Sequence, residues 1–269
     1  MFYKKQAIAL FSGFLFCFAT VQISAQTDYS NYSKFSQRLQ TLQSQNASNS
    51  KLETLTTTVG GHKIWALTLS KGDAKNKPAI AIVSGVNGAH ILGPEMALQI
   101  AENILKNQAD VLEKTTFYIF PNMSPNATEN YFSSLKHYKN GNAKSTDDDR
   151  DGEFNEDPFD DLNKDGLITF MRIEDPTGTY ILHKDDNRIL VKADKNKGEV
   201  GKYKYLTEGI DNDKDGMFNE DGKGGVLFNK NFSYNYPYFK PGAGEHPVSE
   251  KENRALLDYL YEQWNIFSI

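Results

Sequence analysis

The chain has 269 residues, 24% of them charged, with a net charge of −5 and a single cysteine. A length of this order suits one large domain. The acidic balance, without a basic patch carrying interleaved aromatics, argues against nucleic acid as a partner.

Residues 1–26 read as a signal peptide. Lys4 and Lys5 open it, residues 7–21 are mostly apolar, and Ile23-Ser24-Ala25 offers a small-residue cleavage site. The apolar stretch is short for a membrane span and polar sequence follows, so export is expected, to the periplasm or beyond, with no transmembrane anchor. Cys17 lies inside this segment. The mature chain, 27–269, then has no disulfide, and metal ions remain as candidates for cross-linking its loops.

Residues 32–45 have helical spacing at Phe35, Leu39 and Leu42. Residues 52–59 and 62–69 alternate as two strands joined at Gly60-Gly61. The continuous apolar run 79–83 reads as a strand buried on both faces. It leads through 84–93 into a helix over 94–107, with Pro94 in the first turn. Residues 115–120 form another buried strand, adjacent or near-adjacent to the first. A last helix is expected from Pro247, reaching Trp264, and 265–269 looks like the opening of a strand. This alternation predicts a doubly wound α/β fold: a mixed, mainly parallel sheet with helices on both faces. Because domains rarely end on the first residues of a buried strand, the fold is expected to continue past Ile269. The chain alone is then expected to expose a sheet edge and to aggregate.

Between the second buried strand and the last helix lies an acidic insert, about 145–222. Its first loop, Asp147 to Asp157, returns almost verbatim as Asp211 to Asp221, and a third variant starts at Asp161. Positions 147–166 hold ten acidic residues against two basic ones, Arg150 and Lys164. Unneutralised, that density repels itself. Oxygen side chains at every second position followed by glycine suit Ca²⁺, which takes six to eight oxygen ligands. The predicted ligands are Asp147, Asp149 and Asp151; Asp161, Asn163 and Asp165; and Asp211, Asp213 and Asp215. A solvated acidic loop is the bland alternative. The third variant also has Arg172 where an EF-hand loop ends on a bidentate Glu.

Three short segments carry a family resemblance: 120–127 (Phe-Pro-Asn-Met-Ser-Pro-Asn-Ala), Asn229-Lys230-Asn231-Phe232, and 245–252 (Glu-His-Pro-Val-Ser-Glu-Lys-Glu) with Ala255-Leu256. With the buried strand before Gly85, and in this order, they resemble the zinc carboxypeptidase family, the carboxypeptidase A and D type. The resemblance implies a secreted, Zn²⁺-dependent enzyme that removes C-terminal residues from peptides or proteins. It implies Asn229 and Lys230 as the substrate clamp and Arg172 as the arginine that polarises the scissile carbonyl. An ion pair of Arg172 with the acidic insert is the equal alternative.

The family's first two zinc ligands form H-x-x-E. Aligning Gly93-Pro94-Glu95 with the family's helix start puts Asn87 in the His position and His90 in the Glu position. A neutral amide is a poor Zn²⁺ ligand. Taking His90 as the first ligand requires Glu95 to reach over as the second. Lys230, in place of the clamp arginine, loses the bidentate grip on a carboxylate. The family's third ligand and general base fall past Ile269. Three classes stay open: a metallocarboxypeptidase, a catalytically silent relative that keeps the peptide cleft, and a calcium-stabilised surface protein. The substitutions predict no tight zinc binding by 27–269 and weak or absent activity.

Overall fold

Asn31 caps the first helix, α1 (Tyr32–Gln45), its side-chain oxygen accepting the Lys34 N–H at 3.0 Å. Phe35 and Leu39, one turn apart, give the helix its buried stripe. The computed structural model describes residues 29–137, 140–147, 151–155, 157–214, 216, 218–219 and 225–269. The expected signal peptide lies outside the described residues. Among the described residues no helix is long and apolar enough to cross a membrane.

Strands β1 (Ser50–Thr57) and β2 (Lys63–Leu69) pair as the expected antiparallel hairpin. The apolar run Ala79–Val83 is β3, followed by α2 (Leu92–Asn107) and by β4 (Thr116–Phe120). β3 and β4 are parallel neighbours, with Ala79 opposite Thr116 and Val83 opposite Phe120. Across the sheet the order is β1-β2-β4-β3, then β9 (Ile266–Ser268), which pairs parallel to β3. The sheet is mixed, with β1–β2 and β2–β4 antiparallel and the other two pairings parallel.

The two-residue period of the strands sorts their side chains onto two faces. Leu67, Leu69 and Ile119 meet Phe35 and Leu39 of α1 and Leu98, Ala101 and Ile104 of α2. Ile64, Ala66, Ala81, Tyr118 and Phe120 meet Phe228 and Leu256, the latter on α4 (Lys251–Glu262). Helices therefore cover both faces, and burial of each large apolar side chain contributes about 1.5–3 kcal/mol. α4 starts four residues later than its sequence pattern predicts. Val248 and Glu250 donate their N–H groups to Asn231, at 2.8 and 3.0 Å, so the preceding segment is bonded outward.

The insert contains a second sheet that its sequence did not announce. Four strands, β5 (Phe170–Glu174), β6 (Tyr180–Leu182), β7 (Leu190–Lys192) and β8 (Tyr203–Thr207), run antiparallel in the order β5-β8-β6-β7.

Candidate functional site

The parallel strands β3 and β4 end at the same edge, and their pairing continues beyond both. Ser84 N–H donates to Phe120 O at 2.9 Å and Met123 N–H donates to Ser84 O at 3.0 Å. Gly85, at φ +65°, is the pivot: a Cβ there would stand 2.5 Å from Asn122 Oδ1. Loops 84–91 and 121–124 thus leave the sheet together, at the strand ends where α/β folds keep their chemistry. The first carries Asn87 and His90. The second leads into the short helix α3 (Pro125–Glu129), whose Asn126 bonds the half-buried His62 ring at 2.9 Å. Burial lowers the His62 pKa, with the Glu129 charge opposing it.

Asn87 closes a local turn, its Oδ1 accepting Ala89 N–H at 3.2 Å and its carbonyl accepting His90 N–H at 3.0 Å. His90 is exposed. Glu95 is not its partner. This carboxylate, 8% exposed in the first turn of α2, accepts from Arg38 Nη1 at 2.6 Å and from Ser30 N–H at 3.0 Å. It ties α1 to α2, with one oxygen bonded to a cation and the other to an amide. Among the described residues no group of three or more His, Cys, Asp or Glu is placed to share a metal ion. The residues present do not fit the zinc site that the resemblance implies.

Arg172 lies exposed on β5, donating to Asn187 O at 2.6 Å with its guanidinium 5.4 Å from the Tyr203 ring centre. Both contacts are inside the insert. Asn229 and Lys230 stand exposed on a single turn, Phe228–Lys230, and Lys230 Nζ donates to Pro241 O at 3.1 Å. The buried member of this motif is Asn231. Its amide nitrogen is shared among Ala243 O (2.8 Å), Ser249 Oγ (3.0 Å) and His246 O (3.1 Å), and its oxygen accepts from Glu250 N–H.

A polar cluster missed at the sequence level sits beside the strand ends. Glu250 Oε2 accepts from Asn142 Nδ2 at 2.8 Å, and Oε1 accepts from Ser249 Oγ at 2.9 Å and Lys144 Nζ at 3.3 Å. Lys144 also reaches Glu245 at 2.9 Å. Burial alone would lower the Lys144 pKa, but its bonds to Glu245 and Glu250 and their charges outweigh that and hold it above its ordinary value. Glu252 goes the other way, burial pushing its carboxyl above the usual carboxylate range. The sequence signal was the pair Glu250 and Glu252 at a helix start. Next to this cluster Tyr236, Tyr238, Phe239, Lys144 and residues 242–245 border an open groove of about 530 Å³. Tyr236 packs with its hydroxyl on Gly244 O at 2.6 Å, while Tyr238 and Phe239 are exposed.

The three acidic loops close in the same way. Asp147, Asp161 and Asp211 each accept, through Oδ2, the N–H of the glycine five residues on: Gly152 at 3.2 Å, Gly166 at 2.8 Å and Gly216 at 3.0 Å. Those glycines have φ of +103°, +82° and +92°, where a side chain is strained. Two buried carboxylates knit the loops together. Asp157 accepts from Asn212 and Asn219, and Glu208 accepts from Leu162, Asn163 and Thr169. Asp151, Asn163, Asp165 and Asp213 are exposed on their loops. Asp149 and Asp215 lie outside the described residues.

A mixed sheet clad by helices on both faces, with its loops gathered at the ends of two parallel strands, defines an α/β protein. The family model for zinc carboxypeptidases matches residues 35–268, and the chain belongs to that family. No curated protein matches the sequence. Among solved structures, bovine thrombin-activatable fibrinolysis inhibitor, in complex with tick carboxypeptidase inhibitor, is 13% identical with a TM-score of 0.50, covering 87% of this chain and 56% of its own. Carboxypeptidase A from Helicoverpa armigera is 12% identical with a TM-score of 0.47, covering 88% and 43%. At such identity the first likeness speaks to the fold alone. The chain spans about half the length of these structures.

Proposed function

We propose that the chain belongs to an exported metallocarboxypeptidase-family protein whose cleft receives the C-terminal segment of a peptide or protein. Within residues 27–269 the cleft binds without cutting. The observation that carries this reading is the Arg38–Glu95 ion pair, which engages the carboxylate that the resemblance would set beside His90. Asn87 adds only a neutral amide, already bonded in its own turn. The groove beside Tyr238 and Phe239 offers aromatic faces to an extended peptide. The decisive experiment measures zinc content and release of C-terminal residues by the intact protein. Peptide binding without stoichiometric zinc or hydrolysis is expected. Stoichiometric zinc with hydrolysis abolished by His90→Ala would establish a working enzyme with unusual ligands.

The reading includes calcium in the acidic insert as a stabilising ion. Three loops with one closure pattern support it, as do two buried oxygens in the first loop, Asp147 Oδ1 and Asn155 Oδ1, that have no donor among the described residues. Calorimetric titration with calcium should show uptake, and EDTA should lower the melting temperature. No uptake together with an unchanged melt would exclude it.

A further inference from the structure

The open groove beside Lys144 is lined from two distant parts of the chain. Asp147 and Phe154 come from the first acidic loop, and Tyr236, Tyr238 and Phe239 from the segment before α4. Its rings stand in solvent: Phe154 is 61% exposed, Tyr238 64% and Phe239 80%. Phe239 also sits at φ +60°, a left-handed conformation that a bulky side chain rarely adopts. An exposed ring on a strained backbone costs stability twice, which points to a use in binding. Tyr238 is held in place by an edge-on contact with Tyr236, their ring centres 4.9 Å apart.

Charge selects what these rings receive. Lys144 is engaged within the protein, 2.9 Å from Glu245 and 3.3 Å from Glu250. That trio carries one net negative charge, and the Glu245 side chain is 73% exposed. The remaining charged residues of the lining, Asp147 and Lys240, balance one another. The adjoining stretch 147–166, with ten acidic residues against two basic ones, adds to the negative field. One calcium ion in each of its two loops would leave it acidic still. Aromatic faces in a negative field attract a cation. Arginine suits them better than lysine, because its planar guanidinium stacks on a ring and donates two bonds to a carboxylate.

We propose that the groove takes an arginine side chain of the bound peptide, stacked on Tyr238 and Phe239 with Glu245 beside its guanidinium. The inference rests on the peptide-binding reading of the cleft and gives that peptide its chemical class, a basic one.

The test is a binding titration of the intact protein in calcium-containing buffer. The probes are short alanine peptides with a free C-terminus, carrying arginine, lysine, glutamine or glutamate at each position in turn. At its best position arginine should bind about tenfold tighter than glutamate and about threefold tighter than glutamine, with lysine between. Phe239→Ala and Glu245→Gln should each remove most of that preference. Tyr234→Ala, which changes an exposed ring outside the groove lining, should leave it intact. Equal affinity for the arginine and glutamate peptides, or an arginine preference that survives both substitutions, would overturn this inference and leave the cleft reading standing. Failure of every peptide to bind would overturn the two together.

Discussion

Arg38 and Glu95 form a 2.6 Å ion pair that joins the first two helices, and the Ser30 amide completes the carboxylate's shell. The pair is the point at which the family's metal site and this chain part. A Glu placed to reach zinc would have to leave a guanidinium, which would keep only Glu102 of α2, at 3.5 Å.

Arg38→Ala should therefore act on stability. It leaves a carboxylate of 8% exposure without its cation, and a loss of about 2–3 kcal/mol is expected in urea unfolding. Glu95→Gln should lose less and leave zinc content unchanged. A fall in zinc content in that variant would return Glu95 to the metal.

Asn231→Ala should cost about 2–3 kcal/mol, since it removes a fully buried side chain that donates to Ala243 O, His246 O and Ser249 Oγ and leaves the buried Glu250 amide without its acceptor. Lys230→Ala, one residue earlier and exposed, should stay within about 0.5 kcal/mol. The two denaturation midpoints separate an architectural motif from a ligand clamp. Reduced peptide binding by Lys230→Ala would show that the clamp role persists.

Gly166→Ala introduces a side chain at φ +82° and should weaken the second acidic loop by about 1 kcal/mol. Calcium affinity measured by calorimetry should fall with it. Limited proteolysis after chelation should cut first within 145–222, because clustered carboxylates then repel one another.

Two glutamates give opposite pH dependences. Hydrogen bonds from the Thr169 hydroxyl and amide, and then from Asn163 and Leu162, hold the Glu208 pKa below 4.5. Its stabilisation is complete above the unfolded value and is lost as pH falls through the folded one. Glu208→Gln should flatten the acid limb of the stability curve below about pH 5. Glu252, raised by burial, stabilises in its protonated form, and that contribution fades as pH rises from 4.5 through its folded value. At pH 7, Glu252→Gln should be at least as stable as the unmodified protein.

Asn87→His combined with His90→Glu writes the family's H-x-x-E spacing onto the loop after β3. The double variant should retain more zinc than the unmodified protein after dialysis against a weak chelator. Equal retention would mean that the loop, and not its ligands, sets the affinity.

Local pattern was enough for the first sheet. The 3.6-residue stripe of Phe35 and Leu39, the hairpin at Gly60-Gly61 and the apolar runs at 79–83 and 116–120 each specify their element through contacts close in sequence. The closure of the acidic loops was legible for the same reason, since Asp161 and Gly166 bond within one turn of chain. The second sheet was hidden because its strands are short and half exposed, and acidic loops flank them.

What tertiary structure alone decided are the partnerships across long separations. Sequence alone suggests Glu95 as a metal ligand, and only the fold brings Arg38, 57 residues away, into an ion pair with it. Asn231 reads as part of a substrate clamp, and its buried contacts with 243–250 make it a strut. Ser124 and Asn126 meet Glu252 and Asn253 only because β4 ends and α4 begins on the same side of the sheet. A residue's neighbours along the chain fix its conformation, whereas its protonation, its charge balance and its ligands depend on neighbours that only folding supplies.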